Sequence, residues 1–295
     1  MVAAAIPSDV KWAYLAFTLV FVVGLVTIFA RGDWQRAQGL DRLILFGPIF
    51  YAAPLAAFAT EHFTQTKIIA SIVPKWMPWH YFWAYFVGTC FILAALSLVT
   101  RIRARLAASL VALTMFLFVA LMYIPATLRH PDNRIFGTIA LRETSFSGGA
   151  LAFAAFLSDA WRNRGARIMA TVARYFVAIP VLFFSYLQVA HANYVPGVPL
   201  DRLTPAYIVG HGFWNYLGGA VYAVAGILLL IGTQTRAAAT WLGATVLLIE
   251  SAVYVPIAVV DRASLDNGLN YMADTLMFCG AVLLLAGAMP REHET

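Results

Sequence analysis

Seven side chains in this sequence combine a type and a position that could do chemistry inside otherwise apolar segments. Glu250 interrupts the run Leu247-Leu248-Ile249-Glu250-Ser251, Asp274 lies about one turn into the last apolar segment, and Glu143 stands at the start of an earlier one. Tyr123 and Tyr254 each precede a proline by two residues, and His80 and His211 each open an aromatic stretch. A carboxylate deep in hydrocarbon costs about 2.5–3.5 kcal/mol on insertion scales, so it is paired, protonated or lines a polar cavity. That makes Glu250 the strongest single candidate. An imidazole, a phenol and an acid are the groups needed to hold the oxygens of a quinone ring and exchange its protons. They are equally the groups of a buried polar network between helices. His62, His80, His191 and His211 near one depth would also suit a haem held by paired imidazoles, although nothing in their spacing calls for one.

What must position these side chains is a unit used twice. His80-Tyr81-Phe82-Trp83-Ala84-Tyr85-Phe86-Val87-Gly88 recurs as His211-Gly212-Phe213-Trp214-Asn215-Tyr216-Leu217-Gly218-Gly219, sharing the spacing H-x-F-W-x-Y-x-x-G. The same shift of 131 residues pairs Arg105 with Arg236, Tyr123-Ile124-Pro125 with Tyr254-Val255-Pro256, Glu143 with Asp274, and Gly149-Ala150 with Gly280-Ala281. Self-similarity at a fixed long period is the mark of an internal duplication. Glu250 departs from it, for the first copy has Val119 in its place.

Composition sets the class. Hydrophobic residues make up 62% and charged residues 12% of the 295, too few charges to cover a soluble globule of this length. Cys90 and Cys279 sit alone in apolar runs, with no C-x-x-C spacing, so no disulfide framework or cluster ligand set is visible. No P-loop, metal-ligand cluster or nucleophile triad is visible either. The net charge of +6 comes from basic residues in short loops and points to orientation in a bilayer rather than to nucleic acid.

The pattern predicts an all-α membrane protein of about nine transmembrane helices, because segments near ~20 apolar residues cross a hydrocarbon core and only helices satisfy their own backbone there. The expected spans are about Trp12–Ala30, Leu43–Ala59, Tyr81–Leu98, Leu106–Tyr123, Thr144–Leu157 with an extension at its ends, Val172–Ala190, Phe213–Ile231, Ala238–Tyr254 and Asn270–Gly287. They group as an extra N-terminal helix with its inner loop (1–36), a first four-helix unit (37–161) and a second with a short tail (162–295), the two units being parallel-repeat bundles. Residues 1–10 lack a basic n-region and a small-residue cleavage site and are expected to stay on the protein. Arg31, Arg36, Arg101, Arg103, Arg105, Arg162, Arg164, Arg167, Arg236 and Arg291 fall on one side if the spans alternate. By the positive-inside rule that side is cytoplasmic, the N-terminus is outside and the C-terminus inside.

Local readings follow. Trp76, Trp79, Trp83 and Trp214 read as an aromatic belt at headgroup level, and Gly88 and Gly219 as sites of close helix approach. The stretch Lys67–Val73, followed by Pro74 and Pro78, is too short to span and is expected in the interface, answered in the second unit by Val195 through Pro205. Pro125 and Pro256 are expected to end the third helix of each unit.

The outer stretch Val73-Pro74-Lys75-Trp76-Met77-Pro78, the F-W-x-Y-x-x-G helix and the Arg-containing inner turn together resemble the DoxX family of four-helix membrane proteins. Two such units would cover nearly everything after the first span. The resemblance implies a four-helix fold, a bacterial cytoplasmic membrane and a role linked to quinones, the family being named for a subunit tied to terminal quinol oxidation and thiosulfate:quinone oxidoreduction. The chain departs from that family in being a tandem fusion with an extra leading helix, and its lack of placed thiols speaks against direct thiosulfate oxidation by this chain.

The functional expectation is therefore a membrane subunit supporting quinone-linked electron transfer with a partner chain, through His80, Tyr123 and Glu143 or through His211, Tyr254, Asp274 and Glu250. Divergence favours the second unit. The alternatives are a structural subunit docking other membrane chains, and a carrier or binder of small molecules or lipids in which proton coupling falls to Glu250.

Overall fold

The structure is a computed structural model that describes residues 6–158, 163–198 and 201–291. Arg162, Pro199 and the expected junction between residues 161 and 162 lie outside the described residues. Within them the chain is all-helical. Its nine long helices are α1 (Ser8–Ala30), α2 (Asp41–Thr64), α3 (His80–Thr100), α4 (Ala104–Arg129), α5 (Arg134–Phe156), α6 (Arg164–Ala190), α7 (Phe213–Ile231), α8 (Thr235–Val260) and α9 (Leu265–Ala288).

Eight of these, all but α5, are long and apolar enough to cross a membrane. Their outer faces are apolar as well. On α1, Trp12, Leu15, Leu19, Val22, Val26 and Phe29 form an exposed stripe at helical spacing, while Val20, Gly24 and Ile28 pack inward. Such a surface suits lipid rather than water, and the chain is a polytopic membrane protein. Helix α5 is long enough, at 23 residues, but its run Arg142-Glu143-Thr144-Ser145 lowers its hydropathy, and it is buried among α4, α6 and α9.

Helix α5 begins at Arg134, capped by the Asn133 side chain accepting from the Ile135 amide at 3.0 Å, so the expected extension of its span does not stop near Thr144 but runs ten residues ahead of it. Arg142 and Glu143 therefore lie two turns inside it, a position they hold because their charges are paired there. One expectation about helix ends needs correction: Pro125 and Pro256 do not end their helices. A single π turn, Val119–Tyr123 in α4 and Glu250–Tyr254 in α8, precedes each proline and the helix resumes beyond it. The wider turn accommodates a residue that offers no backbone donor and crowds the preceding turn.

Features recur along the chain at the shift read from the sequence. Ala104–Phe118 and Thr235–Ile249, the two π turns, and the starts at Arg134 and Leu265 are each 131 residues apart. The indole of Trp83 donates to Pro78 O at 2.9 Å and that of Trp214 to Val209 O at 2.8 Å. These two tryptophans thus pin local turns, while Trp76 and Trp79 are the exposed ones, at 71% and 77%.

The packing differs from two self-contained bundles. Helices α5 and α9 lie side by side at the centre, where a side chain added at Gly149 would overlap Ala281. Helix α9 also packs along α2, with Gly280 against the backbone of Phe50 and Tyr51, and α5 packs along α6. The last helix of each half thus leans on the first helix of the other. Small residues permit that approach, and dispersion and short contacts then hold helices together where lipid gives no hydrophobic drive.

One end of the molecule gathers the basic loops: Asp33 meets Arg36 at 2.5 Å and Arg101 at 3.9 Å, and Asp41 meets Arg236 at 2.7 Å and Arg291 at 2.9 Å. The other end carries Arg202 paired with Asp261.

Candidate functional site

An apolar cavity of about 360 Å³ lies in the first half, between α2, α3, α4 and α5. Val87, Phe91, Phe118 and Met122 line it, as do Ile69, Val73, Pro74 and Met77 of the connection between α2 and α3. Phe86, Leu117 and Leu121 line it and also sit on the outer surface, 48%, 41% and 40% exposed, so the gap between α3 and α4 opens sideways toward lipid.

The inner end of the cavity is polar. Glu61, His62, Tyr123, Arg142, Glu143 and Asp274 all reach it. Arg142 is the hub, donating through Nη1 to Asp274 Oδ2 and through Nη2 to Glu143 Oε1 at 3.1 Å. One cation thus serves two carboxylates, and α5 is tied to α9 across the centre of the molecule. Taking charges from water into such a site costs several kcal/mol per ion, and close pairing offsets much of that. Glu61 is reached by the Asn270 amide at 3.4 Å. Arg142 Nε and Glu61 Oε1 are buried with no protein partner, so the network is not closed on itself.

Two cavity side chains present free hydrogen-bonding atoms. His62 donates from Nδ1 to Phe58 O at 2.9 Å, which in the neutral ring leaves Nε2 as an acceptor. Its ring stands edge-on to Phe91, 5.5 Å between centroids. The Tyr123 hydroxyl makes no protein hydrogen bond among the described residues.

The corresponding space in the second half is filled by the chain itself. The outer connection after α6 folds inward, burying Val195, Pro196, Gly197 and Val198. Tyr254 donates to Pro196 O, the Gly197 amide donates to Gln188 Oε1 at 3.2 Å, and Asn215 Nδ2 donates to Ala192 O at 2.5 Å and Tyr194 O at 2.8 Å. Behind this plug Glu250 is only 3% exposed, and neither of its carboxyl oxygens has a protein partner.

Of the seven side chains picked out by sequence, the structure brings Tyr123, Glu143 and Asp274 together at the cavity. Glu250 and Tyr254 lie within electrostatic reach of Asp274 but behind the plug. His80, at the start of α3, and His211, exposed just before α7, do not join them. The cavity lies in the first half, whereas sequence divergence favoured the second unit. Glu250 marks that divergence, yet the plug covers it. Sequence reasoning missed Arg142 and Glu61, and considered His62 only as a haem ligand. Arg142 was legible as a cation beside Glu143 in an apolar stretch, but it has no charged counterpart in the second copy, where Ala273 stands, and so drew no reading. Glu61 drew no reading beside His62, and His62, expected at the end of its helix, was set apart from the candidate site because its register differs from that of His191.

Among the described residues no group of three or more His, Cys, Asp or Glu is placed to hold a metal ion. Compared with known proteins, the chain matches no family model, no curated protein and no solved structure.

Proposed function

We propose that this protein is a DoxX-like membrane subunit that binds a quinone-type amphiphile in the first-half cavity and supports its electron exchange with a redox partner chain. The reading includes two duplicated four-helix units, 37–161 and 162–295, behind one extra helix. It also includes α5 as a ninth span and a bacterial cytoplasmic membrane with the Arg-rich end inside, as the loop charges favour. The observation that carries the function is an apolar, laterally open cavity ending in unsatisfied polar groups: Tyr123 and His62 beside the Arg142–Glu143–Asp274 network. A long apolar tail suits the walls, and ring oxygens suit the polar end. This chain's residues would hold the ring and exchange protons with it, while the electrons pass to or from a centre on the partner.

The test is extraction of natively purified protein and identification of quinone by its absorption. Quinone should be recovered from the wild type and lost from Val87→Trp, which fills the cavity. Recovery of none from either would remove the reading.

A second reading, a carrier of small amphiphiles coupled to protons, draws on Glu250, whose buried carboxyl lacks a partner next to Asp274. Uptake into liposomes containing this chain alone, abolished by Glu250→Gln, would select it.

A further inference from the structure

The second half shows how its polar pair is used when the space is occupied. Helix α2 and helix α6 each carry an internal proline, Pro54 and Pro180. A side chain added at Gly88 would meet His62 and Ala59 O; at the equivalent Gly219 it would meet Gln188, Val189 and Ser185 O. Counting from each proline, His62 and Gln188 occupy the same place, as Ala59 and Ser185 do. Tyr123 and Tyr254 occupy the same place at the end of their π turns. In the second half this pair brackets the single peptide group joining Pro196 to Gly197, the tyrosine donating to its oxygen and the glutamine oxygen accepting from its N–H. The plug is thus a built-in ligand offering one acceptor and one donor.

In the first half the same pair, His62 and Tyr123, lines the cavity. Tyr123 is a donor, and His62, its Nδ1 committed to Phe58 O, offers Nε2 as an acceptor. A quinone head offers only acceptors and would leave His62 Nε2 facing a lone pair. A hydroquinone offers both, since a hydroxyl accepts from Tyr123 while donating to His62. Resting on the proposed quinone site, we infer that the first-half cavity selects the reduced, hydroquinone form of its ligand over the oxidised form, with His62 and Tyr123 as the selecting residues. The recognising chemistry is a hydroxyl on an apolar tail, which an aliphatic alcohol also carries.

The test measures binding to the whole chain in nanodiscs, under anaerobic conditions, of a decyl-tailed benzohydroquinone, its quinone, its bis-methyl ether and decanol. The hydroquinone should bind about tenfold more tightly than the quinone and the ether, the worth of one unmatched hydrogen bond at a buried site. Decanol, which lacks the ring, should bind more weakly. His62→Gln, whose amide can turn its NH2 toward a quinone oxygen or its oxygen toward a hydroxyl, should reduce the preference, His62→Leu should erase it, and Tyr123→Phe should weaken all ring ligands alike. Quinone binding as tightly as hydroquinone would overturn the selectivity and leave the quinone site standing. Decanol matching the hydroquinone would reassign the ligand to an aliphatic hydroxyl and overturn it too. Absence of all binding would remove both readings.

Discussion

The two outer connections of this molecule start from similar helices and end differently. Between α2 and α3 the chain stays at the rim, as the short helix Thr66–Ile72 and the turn through Pro74 and Pro78, and lines an open cavity. Between α6 and α7 it dives inward and fills the equivalent space. Two differences decide the outcome. The stretch from Pro180 to Gly219 is longer than that from Pro54 to Gly88, so it has chain to spare for a plug. Asn215, which anchors the plug by two carbonyls, stands where the first half has Ala84, a cavity-lining residue with no donor. One helical scaffold can therefore hold an open cavity or a sealed core, according to what its loop supplies.

The comparison can be broken at several points. The largest effect is expected at Arg142, which has no counterpart, since Ala273 stands in its place in the second half. Arg142→Met leaves Glu143 and Asp274 buried without a cation, and thermal unfolding in detergent should show a loss of about 3–5 kcal/mol. A stable Arg142→Met protein would mean that the network does not hold the halves together. Next, Asn215→Ala leaves the carbonyls of Ala192 and Tyr194 undonated and should cost about 1–3 kcal/mol, together with faster amide exchange at Val195 and Gly197. Unchanged exchange there would mean that the plug is held by packing alone.

Val87→Trp should cost under about 1 kcal/mol, because the added ring enters empty space rather than a packed core, and it should abolish ligand binding. The smallest effects come from a matched pair. Tyr254→Phe should lower stability by about 1 kcal/mol and leave ligand affinity alone, whereas Tyr123→Phe should leave stability alone and weaken binding about fivefold. If both variants acted on the same readout, the two halves would not be doing different things.

Much of this architecture was legible from the chain. The shift of 131 residues, carried by His80-x-Phe82-Trp83 and Tyr123-x-Pro125, anticipated paired π turns and paired indole contacts without naming them. What stayed hidden depended on register and on loops. Hydropathy fades where charges begin, so it set the expected span from Thr144 and gave no sign that the helix shelters Arg142 by pairing. Proline reads as a stop because it lacks a donor, yet a π turn absorbs the defect. Whether a loop folds in or stays out turns on single contacts such as that of Asn215, and apolar patterning carries no trace of these.

The most direct test of the difference between the halves is photo-crosslinking with a long-tailed azidoquinone in nanodiscs, followed by mass-spectrometric mapping of the adducts. The account predicts labelling on residues 83–91 and 114–123, suppressed by excess unlabelled quinone. Competed adducts confined to the plug around residues 194–198 and to Tyr254, or none that compete, would contradict it.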